Sequence, residues 1–527
     1  MAVKRRSYTV MFVVVICVVG GCRNPDSQKG NREQTYGYYV QKCLDTLMVY
    51  GTDRYGEIYA PILVSILDVT SRDCPQNPEP LDEEWRVTRR ERRNPAGANL
   101  LTDQPLLKSM YLYSTVSGNN KYADFARQYT DYYLKNLVDD KDLLWWGWHR
   151  HYDVYEDIKT GHQGNHHEIH AVHCIDWEHL WQTDPATVSK AIKAIWHWHV
   201  IDKKTCEINR HDDGKPGCDF SMSAGAYIEA FAFLYTKTHQ QIWLDRANLL
   251  RQYYWDRRNT ETDLFPDRPN AGTDRFDGGS FVTAIPGLFC HSLLKTYELT
   301  GDADFLNDAL AYLKAYARFG FDETTGKFWG ALRLDGSVIP GPCTLGDYAQ
   351  YEPRGHLDLW EPYVLGYQYP IYAAQAYAHA YHLSDEPDLL IMAERFAKWI
   401  ENTPVGVVET EKTWFGFYSN SFGKQGTYAG KYGRTISFFL HLYVLTENEH
   451  YLQVARRFAD SAIKKLYSNG LFRGHPAKPY YEAVDGVGYL LYALLELDQI
   501  LKYPDQTLTE RAIPAGNQKD TIVFDNW

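Results

Sequence analysis

The chain has 527 residues, enough to bury a large core in one domain or several. Its net charge of −12 argues against nucleic acid as a partner, yet a cleft can still be locally basic on an acidic body. Aromatic residues make up 15%, with 15 Trp and 41 Tyr, a composition that suits a sugar-binding surface as well as the packed rings of a helical toroid.

The N-terminus reads as a targeting segment. Lys4-Arg5-Arg6 is a basic opening, and Val10–Val19 is mostly apolar but too short to span a bilayer. It runs into Val19-Gly20-Gly21-Cys22, small residues and then cysteine, which resembles a bacterial lipobox. Residues 1–22 are therefore expected to be a lipoprotein signal peptide, with Cys22 lipidated after cleavage, and residues 23–35 a polar tether. That predicts an exported monomer held to a bacterial membrane by its lipid alone, on the periplasmic or cell-surface face. A plain secretory signal is the alternative. Without Cys17 and Cys22 an odd number of cysteines remains, which is not a disulfide framework. One bridge, such as Cys206 to Cys218, is compatible with export. The chain has no C-x-x-C pair, so a thiolate zinc site is not expected.

Residues 36–505 read as one domain built on a repeated unit, followed by a C-terminal tail at 506–527. Five segments pair a tyrosine with a closing Ser or Thr: Tyr113 with Ser117, Tyr235 with Thr238, Tyr297 with Thr300, Tyr381 with Ser384 and Tyr443 with Thr446. Nine residues after each closing residue comes alanine, at Ala126, Ala247, Ala309, Ala393 and Ala455. Turn formers such as Gly301-Asp302 lie between, so each unit predicts helix, tight turn, helix, with the small alanine allowing close approach. Further helices are expected near 36–50, 57–69, 166–200 and 482–502. The total is about thirteen or fourteen helices, and the fold class expected is all-α, an α/α toroid of six to seven hairpins. Short rim strands are expected at Lys327–Val338 and Thr413–Tyr418. Long loops at 145–163, 206–219, 266–280, 341–362 and 422–434 are expected to share one mouth.

The densest chemistry lies between Trp145 and His211. It comprises Trp145, Trp146 and Trp148, the run His149-Arg150-His151, the string from Asn165 to His173 and the pair Arg210-His211. Core building does not need so many half-polar rings. Imidazoles, a carboxylate and an arginine beside indoles point to a metal site in a carbohydrate cleft. His167-Glu168-Ile169-His170-Ala171 is not a zincin motif, because position 171 is Ala. On a helix His166, His170 and His173 would share one face, about 160° from Glu168 if the helix began at 165. These histidines and Glu168 can then meet one ion only if 165–168 is loop. Asp176 and Glu178 follow and could orient the histidines. Asp212-Asp213-Gly214 has the chemistry of a turn.

The order His149, Glu168, Arg210-His211, with gaps of 19 and then 42 to 43 residues, resembles the family 2 polysaccharide lyases, the pectate lyases of periplasm and cytoplasm. The stretch Tyr351–Tyr363 is similar in character. The resemblance implies a seven-hairpin toroid, with His149, Glu168 and His211 as ligands of a divalent transition metal and Arg210 as base. His151 competes with His149 for the first ligand position, and His166, His170 and His173 stand outside the family pattern as alternative ligands or bases. Two imidazoles and a carboxylate favour Mn, Ni, Co or Zn and disfavour calcium.

The implied reaction is β-elimination on an acidic polysaccharide or oligosaccharide, a uronate polymer of the pectate or oligogalacturonate kind. Neutralising the uronate carboxylate makes the C5 proton more acidic. A base takes that proton and the C4–O bond breaks, leaving a 4,5-unsaturated end. Arginine is a difficult base, with a pKa above about 12, so a histidine remains the competing candidate. Arg354, Lys431 and Arg434 could grip carboxylates, and Trp146, Trp148, Trp360 and Trp414 could stack on sugar faces. The rival readings are a glycoside hydrolase on the same toroid, drawing its acid and base from Asp176, Asp277, Asp358 and Glu361, a histidine-based sugar epimerase, and a non-catalytic glycan-binding lipoprotein.

Overall fold

The computed structural model describes residues 35–76, 97–161, 164–270, 279–340, 355–360, 369–407 and 425–503. Cys22, Asp277, Cys343, Arg354, Glu361, Trp414 and the strand expected at 413–418 lie outside the described residues. The compact unit that carries the helices begins at Tyr36.

Fourteen α-helices are present among the described residues. In chain order they are α1 (Tyr36–Thr46), α2 (Leu100–Ser117), α3 (Lys121–Asn136), α4 (Trp177–Thr183), α5 (Pro185–His199), α6 (Ser221–Thr238), α7 (Gln241–Trp255), α8 (Cys290–Thr300), α9 (Ala303–Phe319), α10 (Pro370–Ser384), α11 (Pro387–Asn402), α12 (Ala429–Thr446), α13 (Glu449–Leu466) and α14 (Val487–Lys502). The fold is an α/α toroid. Helices α2, α6, α8, α10, α12 and α14 form its inner ring, and the seventh inner position is filled by the short segment from a 3-10 turn at Ala171–His173 through α4. Helices α3, α5, α7, α9, α11 and α13 pack outside, each against its hairpin partner. The ring closes where α14 packs on α2, with α1 laid against the outside of α14. Gly488 permits that closure, and Gly433 the close approach of α12 to α14. A Cβ on Gly488 would come within 2.3 Å of Leu106 N, and one on Gly433 within 2.5 Å of Leu490 N.

Burial follows the two rings. Inner helix α6 is buried almost continuously from Ser221 to Leu234, whereas outer helix α13 buries one stripe: Tyr451, Leu452, Val454, Ala455, Phe458, Ala459, Ala462 and Leu466.

All five repeat segments form the turn between an inner and an outer helix. The closing hydroxyl bonds the carbonyl four residues back, as in Ser117 to Tyr113 O at 2.6 Å and Thr300 to Thr296 O at 2.7 Å. It also accepts the N–H two residues on, so one side chain satisfies groups on both sides of the turn. The next residue is left-handed each time: Gly118, His239, Gly301, Asp385 and Glu447. The five alanines are all 0% exposed, the close contact the repeat predicted.

One expected helix is absent and another is shortened and broken in two. The 57–69 stretch is extended, and its strand β1 (Ile66–Asp68) pairs antiparallel with β11 (Tyr480–Glu482) from the far end of the chain. The 166–200 stretch is loop as far as His170, then the 3-10 turn, then α4 and α5. Asp184 caps Ala186 and Thr187, and Pro185 opens α5. The 327–338 stretch does hold strands, β7 (Lys327–Phe328) and β8 (Ala331–Leu332), but these pair with β6 (Phe321–Asp322) and β5 (Phe281–Val282) instead of with each other. The cysteines at 206 and 218 are free thiols, so the suggested bridge is not made.

Candidate metal centre

The site is built on the loops that join α3 to α4 and α5 to α6. Asn99 ties the first loop to the ring: its side-chain oxygen caps Leu101 N at 3.2 Å, while its amide donates to Gly147 O at 2.7 Å and Arg150 O at 3.2 Å. After Gly147 comes a hairpin that the sequence reading missed, β3 (Arg150–Asp153) against β4 (Ile158–Gly161). The chain then returns so that Glu168 forms a parallel bridge with Gly147. Gly147 has φ +122°, and a Cβ there would lie 2.6 Å from Glu168 O.

The two loops are tied by a buried charge cluster. Arg150 stacks on Trp145, with its guanidinium carbon 4.6 Å from the ring centroid, and pairs with Asp139 at 2.8 Å and Asp212 at 3.4 Å. Asp212 also takes Lys141 at 2.7 Å and the His167 N–H at 2.9 Å. Asp212 is thus more than a turn residue: its carboxylate joins the Arg210-His211 loop to the Glu168 loop.

Glu168 is 3% exposed and stands at the centre of the cluster. Its two oxygens face different partners. Oε2 lies 2.7 Å from His149 Nε2 and 3.2 Å from His211 Nε2. Oε1 lies 2.5 Å from His170 Nε2 and 3.6 Å from Arg210 Nε. His170 Nδ1 is in turn 2.8 Å from Ser223 Oγ, in the first turn of α6. Burial alone would raise the Glu168 pKa, but Arg210, His170, His211 and His149 outweigh it and hold the carboxyl well below its usual range. Burial lowers His211, His170 and His166, although Glu168 opposes this for His170 and His211. An ionised carboxylate beside neutral imidazoles is the protonation state a metal ligand set requires.

His149, Glu168 and His211 bring one ligand atom each within 4.8 Å of the others, a group that can hold a metal ion. Two donors about 2.1 Å from a tetrahedral ion would stand roughly 3.4 Å apart. The His211 to Glu168 separation is close to that. The His149 to Glu168 contact is shorter, as a direct hydrogen bond is. A second group, His166, His211 and Asp213, shares His211. There the His166 and His211 rings are stacked, 4.7 Å apart and within 10° of parallel, so their lone pairs run side by side and do not converge.

Beside the cluster opens a cleft of about 860 Å³, counting space open to solvent. Trp148 and His173 form its wall on the cluster side, and the N-terminal ends of α2, α10, α12 and α14, with the 483–485 turn, supply most of the rest, including Lys431 and Arg434. Lys431 donates to Leu359 O at 3.2 Å. Arg434 is 2% exposed, with its guanidinium carbon 3.7 Å from the Tyr372 ring and 4.0 Å from the Tyr489 ring, so its faces are already covered. Both residues belong to helix α12, not to the loop expected at 422–434.

Several expected roles change. Trp146 is buried, packed edge-on against Trp177 and donating to His167, so it cannot stack on a sugar. Trp360 is likewise buried, with its indole N–H on Thr403 O at 3.3 Å. His151 lies on β3 outside both ligand groups, its pKa lowered by burial to about 4. His173 faces the cleft with a pKa lowered by burial to about 3, and its Nδ1 accepts the His170 N–H at 3.1 Å. Asp176 and Glu178 do not orient the site histidines. Asp176 caps α4 and pairs with His179 at 2.6 Å, and Glu178 pairs with Lys237 at 2.6 Å. As a hydrolytic acid or base Asp176 is therefore already engaged.

Residues 78–263 match the family model described as periplasmic pectate lyase. A pectate disaccharide-lyase of Dickeya dadantii (strain 3937) is 27% identical over 119 residues, and that match spans 22% of this chain and 22% of the relative. Among solved structures, a cellobiose 2-epimerase from Bacillus thermoamylovorans is similar at 13% identity and TM-score 0.46, over 70% of this chain and 95% of the other. A family 76 glycoside hydrolase from a bovine Bacteroides thetaiotaomicron strain is similar at 13% identity and TM-score 0.46, over 88% and 78%. No helix among the described residues is long and apolar enough to cross a membrane. The matched segment carries His149, Glu168, Arg210 and His211 together, and it is this segment that resembles the periplasmic pectate lyases.

Proposed function

We propose that the protein is a polysaccharide lyase that cleaves a uronic-acid polymer, of the pectate or oligogalacturonate kind, by metal-assisted β-elimination to a 4,5-unsaturated product. The observation that carries this reading is the buried Glu168 carboxylate, shared between His149 and His211 on one oxygen and facing Arg210 with the other, inside the segment similar to pectate lyases. In this reading His149, Glu168 and His211 hold a divalent transition metal, Mn, Ni, Co or Zn. The ion would neutralise the substrate carboxylate and so acidify the neighbouring C5 proton.

The chain's own groups account for the rest. Arg210 is the base. It lies against the Phe220 ring, with Cζ 4.4 Å from the centroid, and its Nε is 3.6 Å from Glu168. Losing a proton is hard for arginine, and a nearby cation would make it easier. His166 is the second candidate, because its side chain is 25% exposed and burial keeps it neutral. Lys431 and the positive ends of four inner helices bias the cleft toward an anionic polymer, and Trp148, which lines it, is the proposed sugar-contacting ring. Arg354 is a further proposed carboxylate clamp. The protein is further read as an exported monomer anchored through Cys22.

The test is ultraviolet absorbance of the unsaturated end over a panel of uronate polymers, with reducing ends counted in parallel. Rising absorbance on one polymer, lost in both Arg210→Ala and His211→Ala, is expected. Flat absorbance on every polymer while reducing ends accumulate would move the chemistry to a carboxylate pair and make the protein a hydrolase.

A further inference from the structure

Behind the candidate ligands runs a buried line of hydrogen bonds. Trp146 Nε1 lies 2.9 Å from His167 Nε2, and His167 Nδ1 lies 2.8 Å from His199 Nε2. His199 Nδ1 lies 2.9 Å from both Asn209 O and the Tyr227 hydroxyl, which reaches Arg210 O at 3.3 Å. Trp146, His167, His199, Asn209 and Tyr227 are each no more than 1% exposed.

The direction of this line is fixed by chemistry. An indole N–H can only donate, so His167 Nε2 must accept, and its proton must sit on Nδ1. His167 then donates to His199 Nε2, which places the His199 proton on Nδ1 as well. That proton is shared between Asn209 O and Tyr227, leaving the Tyr227 hydroxyl to donate to Arg210 O. Reversing either ring would set two donors face to face among buried side chains, which is the expensive case for polar groups. Each end is anchored in the site. His167 precedes Glu168 and bonds Asp212 through its N–H, and the far end grips the carbonyls of Asn209 and Arg210.

We infer that Trp146, His167, His199 and Tyr227 are positioning residues that hold the Arg210-His211 backbone at a set place relative to Glu168. Their importance for catalysis rests on the reading above, but the line itself does not. Trp146 and the Asn209 carbonyl set the direction from the two ends, since an indole N–H can only donate and a carbonyl oxygen can only accept.

The experiment is hydrogen–deuterium exchange of the full chain, without added metal, in Trp146→Phe, Tyr227→Phe and Trp177→Phe. Trp177 packs against Trp146 but takes no part in the line, so its variant controls for lost ring packing. Exchange in peptides covering 166–170 and 209–213 is expected to rise about tenfold in the first two variants, at matched thermal midpoints, and to stay at the wild-type level in the third. Unchanged exchange in Trp146→Phe and Tyr227→Phe, or an equal rise in Trp177→Phe, would overturn the inference. The readout involves neither cleavage nor a cation, so failure of the lyase reading would leave it intact.

Discussion

Replacing His170 by alanine isolates what the third histidine of the cluster does. Its Nε2 is 2.5 Å from Glu168 Oε1, and its Nδ1 is 2.8 Å from Ser223 Oγ. With Glu168 ionised, His170 must donate from Nε2 and accept the Ser223 hydroxyl at Nδ1. The variant therefore removes one buried, charge-assisted hydrogen bond from the oxygen that His149 and His211 do not face. Such a bond is worth about 1.5–3 kcal/mol, or roughly 10- to 150-fold in an equilibrium constant. Loss of an outer partner of a metal ligand commonly costs about 10–100-fold in affinity, which agrees. Titration of the metal-free protein with cobalt or zinc against a chromophoric chelator would read this directly, with unchanged stoichiometry and unchanged far-ultraviolet dichroism. Affinity within about twofold of wild type would refute the claim that Oε1 must be held. A loss as complete as that of His211→Ala would refute it differently, by making His170 a ligand.

Further outcomes follow from the same structure. Burial lowers His151 and His199 to about 4, His173 to about 3 and His475 to about 2, all below the unfolded value near 6.5. These rings are neutral in the folded protein and take up protons only on unfolding, so stability is full above about pH 6.5 and is lost as pH falls toward 4. Over the same range Asp53, Asp103, Glu229 and Asp308, whose carboxyls burial raises to about 6 or 7, act in the opposite sense, so the histidine contribution is read by difference: the stability of His475→Gln relative to wild type in urea unfolding should rise as pH falls from about 6 to 4, and a pH-independent difference would contradict it. Gly147→Ala should destabilise the chain by roughly 2 kcal/mol, through its positive φ and the clash with Glu168 O, and should weaken metal binding with the toroid intact; calorimetry showing wild-type behaviour in both respects would count against it. His239 and Glu447 hold left-handed turn positions that Gly118 and Gly301 fill in sister repeats. His239→Gly and Glu447→Gly should each stabilise by about 0.5–1 kcal/mol in urea titrations, and a loss of stability would mean those side chains make compensating contacts.

The toroid was legible because its signals are local. A closing Ser or Thr, a left-handed residue and an alanine nine positions on act within a single turn, and all five repeats fold as read. Stretches whose structure is decided from afar were misread. Ile62 to Leu67 is apolar at spacings a helix would accept, but β1 is extended because it pairs with Tyr480–Glu482 across the closing ring. The histidine string has helical spacing too, yet left-handed Asn165 and Cys174 and the bridge from Glu168 to Gly147 keep it irregular. That irregularity brings Glu168 and His170 together, which one helix face would have forbidden. His149, Glu168, Arg210 and His211 could be picked out through a family resemblance. No sequence signal marks His199 or Tyr227, because their partners lie 10 to 32 residues away along the chain, outside any local motif. Trp146 was misread since nothing local distinguishes an indole facing a sugar from one facing a buried histidine.

In the proposed reading a metal held by His149, Glu168 and His211 enables β-elimination. The most direct measurement is the rate of unsaturated product formation from oligogalacturonate by protein stripped of metal, then reconstituted with manganese, nickel, cobalt or zinc, for wild type and His211→Ala. Stripped protein is expected to give no absorbance change, with full recovery at one equivalent of a transition metal and no recovery in the variant at any metal concentration. Elimination that proceeds at the same rate in excess chelator, or that survives in His211→Ala, would contradict it.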